Sequence, residues 1–329
     1  MHPIALIRIS NTMKKCSLAD VVVATVLPFN DAQEIDWPSY ERVLRYCGQV
    51  DGISAVFVNG HAGEGGALST AERVDVLRFT RETLGPNRTL VAGIIAQSTR
   101  EAIAEAKSAE AAGADVLTLF PPATFAGAST AMVLAYVRAI SDAVALPLAI
   151  FQYPLGSGFG YSTSTLLELA AVPSVVAIKE GSDSMRSYEE NWQAIKRMRP
   201  DLQVLASNFD WFLAQLAVGS DGILSGLASL VPHQLVELWR ASKDNDLPAM
   251  RAASARMLPL VRVIYAAPRN EMYARIKAAL RMMDVIDCAK AREPFEPVGM
   301  ATQGAIRDAL IQIGLIGGAA DIARGHVHE

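Results

Sequence analysis

The run SVVAIKEGSDS places one lysine, Lys179, after the apolar residues Val175 to Ile178 and directly before Glu180. An ammonium that enters an apolar cavity loses hydration, so its pKa falls and a neutral amine becomes available to attack a carbonyl. The product is an imine, an electron sink beside the former carbonyl carbon. The competing reading is a lysine that has left its strand and points to solvent or pairs with Glu180. Three other short stretches carry groups suited to the same chemistry. In VNGHAGEGG, the glycines Gly60, Gly63, Gly65 and Gly66 allow a tight turn that brings a ligand, such as a carboxylate, close to backbone N–H groups. His61 in that loop offers proton transfer near neutral pH, and Glu64 either faces the ligand or organises the loop. In AIFQYP, Phe151 and Tyr153 are two residues apart and share one face of an extended strand, Phe151 as wall and Tyr153 as a hydroxyl nearer the mouth. In LASNF, Ser207 and Asn208 either hold substrate hydroxyls or cap the next helix.

These residues need a scaffold that gathers the ends of several strands. From residue 21 onward, short β-branched runs alternate with longer segments rich in alanine, leucine and charge. The runs are VVVATVL (21–27), SAVFVN (54–59), TLVAGI (89–94), DVLTLF (115–120), PLAIFQY (147–153), SVVAIK (174–179), LQVLAS (202–207) and DGILSG (221–226). They are apolar without clean two-residue alternation, as expected of strands covered by helices on a parallel sheet. Between them lie helical stretches, one starting near Thr99, one near Ser129, and one whose Ser69 and Glu72 match a capping box. Eight such units in roughly 220 residues predict a (β/α)8 TIM barrel, in which side chains at the C-terminal strand ends face the chemistry. An open dinucleotide-binding sheet is disfavoured because VLPFNDAQEID, after the first run, lacks the required glycines. After about residue 245 the strand signal stops, and three further helices are predicted from LPAMRAASARMLPLVRVIYA, NEMYARIKAALRMMDVI and TQGAIRDALIQIGLIG. The expected organisation is a leader over 1–20, the barrel over 21–245 and a helical region over 246–329 that caps the barrel or mediates assembly.

The chain has 329 residues, of which 51% are apolar and 19% charged, enough to bury a substantial core. Its net charge of −4, from 30 basic and 34 acidic residues without a basic cluster, disfavours nucleic acid as a partner. No apolar run reaches the roughly eighteen residues of a membrane helix, and the leader places its apolar patch before its lysines, the wrong order for a secretory signal. The cysteines Cys16, Cys47 and Cys288 are far apart, which fits a reducing, cytoplasmic setting. The five histidines, His2, His61, His233, His326 and His328, show no ligand spacing in the body of the chain, so no metal is expected.

The order Gly60-His61-Ala62-Gly63-Glu64, then LSTAER, then VVAIKEGS around Lys179, then ASNFD and GSDGILSG resembles the dihydrodipicolinate synthase and N-acetylneuraminate lyase family over roughly residues 20 to 290. The resemblance implies a class I aldolase: Lys179 as the imine-forming residue, no cofactor beyond that covalent imine, a pyruvate-like 2-oxo acid as substrate, and a homo-oligomer, dimer or tetramer. The substrate side is expected to comprise Gly60, Ala62, Gly63, Glu64, Phe151, Ser207, Asn208 and Ile223, and His61 or Tyr153, the nearby groups able to replace the family's relay, is left to carry the protons. The chain also departs from the family pattern. Threonine or serine is usual where it has His61 and Ala62; the proton-relaying tyrosine falls on Phe151; the synthase arginine falls on Gly156; and the interface tyrosine pair falls on Pro122 and Ala123. These departures argue against a dihydrodipicolinate synthase and for a divergent lyase, an aldolase or dehydratase of a sugar-derived or otherwise substituted 2-oxo acid. The alternatives are the synthase itself and a noncatalytic relative that binds 2-oxo acids.

Overall fold

The computed structural model describes residues 17–207 and 212–317. Eight parallel strands close on themselves in chain order, β1 hydrogen-bonding to both β2 and β8. They are β1 (Asp20–Ala24), β2 (Ile53–Val58), β3 (Thr89–Ile94), β4 (Val116–Leu119), β5 (Leu148–Phe151), β6 (Val175–Glu180), β7 (Gln203–Ala206) and β8 (Gly222–Ser225). Helices α1 (Trp37–Gly48), α2 (Thr70–Leu84), α3 (Thr99–Ala111), α4 (Thr130–Ser141), α5 (Thr163–Ala170), α6 (Met185–Met198), α7 (Phe212–Val218) and α8 (Pro232–Lys243) follow the strands in turn. Three more, α9 (Leu247–Ile264), α10 (Met272–Met282) and α11 (Met300–Gln312), pack on one another and on α8.

Each predicted strand is present, but some end early. The run PLAIFQY stops as a strand at Phe151, because the Gln152 side chain turns to the backbone of Tyr161, accepting from its N–H at 2.9 Å and donating to its carbonyl at 2.7 Å. Pro154, which has no N–H, completes the break. The capping box forms at the start of α2, where Ser69 accepts from Glu72 N and Glu72 accepts from Ser69 N at 2.8 Å.

The apolar residues sort into two clusters with the two-residue period of a strand. Val22, Ala55, Phe57, Val91, Val116, Ala149, Phe151, Ala177, Leu205 and Leu224 fill the barrel interior, while Val21, Val56, Leu117, Ile150, Ile178, Val204 and Ile223 pack outward beneath the helices. Both faces of every strand are buried, so the sequence shows apolar runs rather than alternation. Leu18, ahead of β1, is fully buried in the interior cluster, and its N–H donates to Gln203 Oε1 at 2.8 Å.

Candidate active site

Lys179 follows Ala177 by two residues on β6, so it takes the inward face of the strand while Ile178 and Glu180 take the outward one. The register pairs it with Phe151 on β5 and Leu205 on β7. Its Nζ lies 4.2 Å from the centre of the Phe151 ring, and the residue is 7% exposed. Burial brings its pKa down from 10.5 to about 7, so a large share of the amine is neutral at neutral pH. Pairing with Glu180 does not occur. The Glu180 carboxyl is buried behind the strand, accepts from Asn191 Nδ2 and Ser182 Oγ, each at 3.0 Å, and is held above the usual carboxylate range by burial.

The loop after β2 folds over the same strand ends. Asn59 and Glu64 adopt left-handed backbone conformations, with φ of 59° and 51°. A Cβ at Gly65 would lie 2.1 Å from the Asn59 carbonyl oxygen, so only glycine allows this turn to close. Inside it, Glu64 N donates to the His61 carbonyl at 3.1 Å and Gly65 N to the Gly60 carbonyl at 3.0 Å. Ala62 joins the barrel-interior cluster, Gly60 sits against the Phe57 ring, and Gly63 sits beside the Thr25 carbonyl.

His61 stands at the mouth. Its Nε2 and the Tyr153 hydroxyl share a hydrogen bond, and its ring is edge-on to Phe120, Phe151 and Tyr153, with centroids 4.9, 5.3 and 5.7 Å away. The residue keeps exposed surface at the mouth while one side of its ring packs against the aromatic rings. Loss of hydration, aided by the charge on Lys179, lowers the imidazole pKa from 6.5 to about 4. Burial raises that of Tyr153. Both members of the pair are therefore neutral at physiological pH, beside an amine that titrates there.

The Dihydrodipicolinate synthetase family pattern matches residues 17–313. The chain belongs to that family. A 4-hydroxy-tetrahydrodipicolinate synthase of Pelodictyon phaeoclathratiforme is 28% identical over 302 residues, covering 91% of this chain and 98% of that protein. N-acetylneuraminate lyase 2 of Escherichia coli is 26% identical over 284 residues, 86% of this chain and 90% of the lyase. The solved structure of the dihydrodipicolinate synthase from Thermotoga maritima superposes with a TM-score of 0.84 at 26% identity, over 91% of this chain and 99% of that one.

Within this member of the Dihydrodipicolinate synthetase family, the residues expected at the site divide. Lys179, His61, Tyr153, Phe151 and Ala62 meet at the C-terminal end of the barrel. Glu64 does not face them: one carboxylate oxygen accepts from the fully buried Lys277 Nζ and the other from Arg292 N at 2.8 Å. Ile223 belongs to the outward cluster, one residue out of phase with the interior Leu224. Ser207 is buried and donates to the Glu180 carbonyl at 2.8 Å. Asn208 lies outside the described residues.

Sequence reasoning passed over Phe120, whose ring stacks on Phe151 with centroids 4.4 Å apart. The period-two argument used for Phe151 applies equally to Val116 and Phe120 on the run DVLTLF. It also passed over Lys277 on α10 and Arg292, which lie 4.4 and 4.6 Å from the Phe29 ring and clamp the loop from the C-terminal side. No local pattern marks either one. Among the described residues no three His, Cys, Asp or Glu side chains are grouped as a metal ion would require, and no helix is long and apolar enough to cross a membrane.

Proposed function

We propose that the protein is a Schiff-base-forming lyase that acts on a 2-oxo acid, with Lys179 as the covalent residue. The observation that carries this reading is a buried lysine on the inward face of β6, its amine against a ring face and its pKa brought to about 7. Among the described residues no carboxylate lies within ion-pair distance of it, so nothing there locks the amine in its charged form. The neutral amine attacks C2 of the 2-oxo acid and water leaves, giving an iminium. The carboxylate at C1 is received by the loop after β2, where the amides of Ala62 and Gly63 are not used by the turn. In cleavage, a base takes the C4 hydroxyl proton, the C3–C4 bond breaks, an aldehyde leaves, and the electron pair passes through C3 into an enamine. Returning a proton to C3 and adding water releases pyruvate and the amine. His61 and Tyr153 form the pair that carries those protons, both neutral and hydrogen-bonded to each other.

The test is reductive trapping. Pyruvate and borohydride should leave a stable adduct on Lys179 by mass spectrometry, and Lys179→Ala should abolish it. Absence of any adduct in the folded wild-type protein overturns the reading. A second reading, 4-hydroxy-tetrahydrodipicolinate synthase, is favoured by the names of most of the related proteins. It predicts efficient condensation of pyruvate with aspartate semialdehyde, and Phe151 and Gly156 stand against it where the tyrosine and arginine of that activity are expected.

A further inference from the structure

Resting on the lyase reading, we infer that the substrate's distal part is apolar and aromatic, rather than a polyhydroxy chain or a second carboxylate. Lys179 lies against a continuous series of rings that runs from β2 across β4 and β5 to the mouth. Phe57 and Phe120 are stacked 6.3 Å apart, Phe120 and Phe151 are stacked at 4.4 Å, Phe151 and Tyr153 follow at 4.7 Å, and Tyr153 and Phe159 at 6.2 Å. The series begins in the barrel interior and reaches partial exposure at Tyr153 and Phe159, so it is a wall leading out of the site and not only a plug. The His61 ring stands edge-on against Phe120, Phe151 and Tyr153, and further apolar groups line the interior end. Met272 from α10 packs on the interior cluster, and Gly226 fits between Ala62 and Met272, where an added Cβ would lie 3.2 and 3.3 Å from their carbons.

Among the described residues most polar groups at the mouth are already committed, and the one unpartnered hydroxyl on the inward face of β4, Thr118 Oγ1, is fully buried beneath the rings. Gln152 is consumed by the Tyr161 backbone, Ser207 by the Glu180 carbonyl, Glu64 by Lys277 and Arg292, and His61 and Tyr153 by each other. Beyond the C4 hydroxyl that meets His61 and Tyr153, a polyhydroxy tail would find few partners among the described residues, at about 1–3 kcal/mol for each group left unpaired. A second carboxylate would fare worse, since among the described residues the only cation in contact with this ring wall is Lys179, whose amine is needed for the imine. A planar apolar tail gives up no hydrogen bonds of its own and gains ring contacts. In the retro-aldol step above, the leaving aldehyde is then an aryl aldehyde. The sugar-derived tail expected from the sequence finds no support in this wall.

The experiment is a competition for Lys179. The full-length protein is incubated with borohydride and equal concentrations of 2-oxo-4-phenylbutanoate, 4,5,6-trihydroxy-2-oxohexanoate and 2-oxohexanedioate, and the three adducts on Lys179 are counted by mass spectrometry. The phenyl adduct should exceed each of the others by about tenfold or more, the scale on which apolar pockets discriminate. Phe159→Ala, at the rim where folding is least at stake, should reduce that excess about fivefold. Equal shares, or dominance of the trihydroxy or dicarboxylate adduct, overturns the inference while leaving the lyase reading intact. Failure to trap pyruvate itself overturns both.

Discussion

The His61 imidazole and the Tyr153 hydroxyl, 92 residues apart in the chain, share a hydrogen bond at the mouth of the barrel, beside an amine whose pKa is about 7. Because the imidazole does not protonate until about pH 4, the group that titrates near neutrality is Lys179. The rate of adduct formation with pyruvate should therefore rise about tenfold per pH unit on the acid side and level off above roughly pH 7. A pH profile of trapping measures this. His61→Gln should lower turnover by about 10²-fold without moving the midpoint upward, since it removes a proton carrier and not a neighbouring anion.

Lys179 should also cost stability. Its folded pKa lies below its unfolded value near 10.5, so between pH 7 and 10.5 the unfolded chain binds more protons and stability rises with pH. Below about pH 7 the full penalty applies. Lys179→Met should raise the stability at pH 7 by a few kcal/mol, as an upper estimate at about 1.4 kcal/mol per pKa unit, and should flatten its rise with pH. Denaturant unfolding of both proteins at pH 7 and pH 9.5 checks the sign; an unstabilised Lys179→Met at pH 7 contradicts the burial of a neutral amine.

The ion pair between Glu64 and Lys277 joins the loop after β2 to α10, and both side chains are buried. Lys277→Met leaves a buried carboxylate with only the Arg292 N–H and should cost about 3–5 kcal/mol. The double substitution Glu64→Gln/Lys277→Met removes both charges and should recover most of that loss. Thermal or urea unfolding of the three proteins gives the coupling directly.

Ile223 faces the helices, not the pocket. Ile223→Ala should lower stability by about 2–5 kcal/mol through the cavity it leaves. The ratio of the competing adducts on Lys179 should stay unchanged. A changed ratio with intact stability would return Ile223 to the substrate side.

The barrel was legible in the sequence because each strand is buried on both faces and writes a short apolar run, and because caps such as Ser69 with Glu72 are local devices. Lys179 was legible for a related reason: a charge at the end of such a run is unusual wherever the strand points. What the sequence determined by itself was therefore the kinds of element, their order and the presence of an amine at a strand end. Which face each side chain takes depends on a phase of one residue, set by pairing with neighbouring strands, and that phase puts Lys179 inside and Ile223 outside. The partners of Glu64 come from Lys277 and Arg292, more than 200 residues away, where no spacing rule operates. The tertiary structure alone decided these contacts, because a group that stays charged when buried needs a partner, one without a partner shifts towards neutrality as Lys179 does, and the closed barrel determines which residues are within reach.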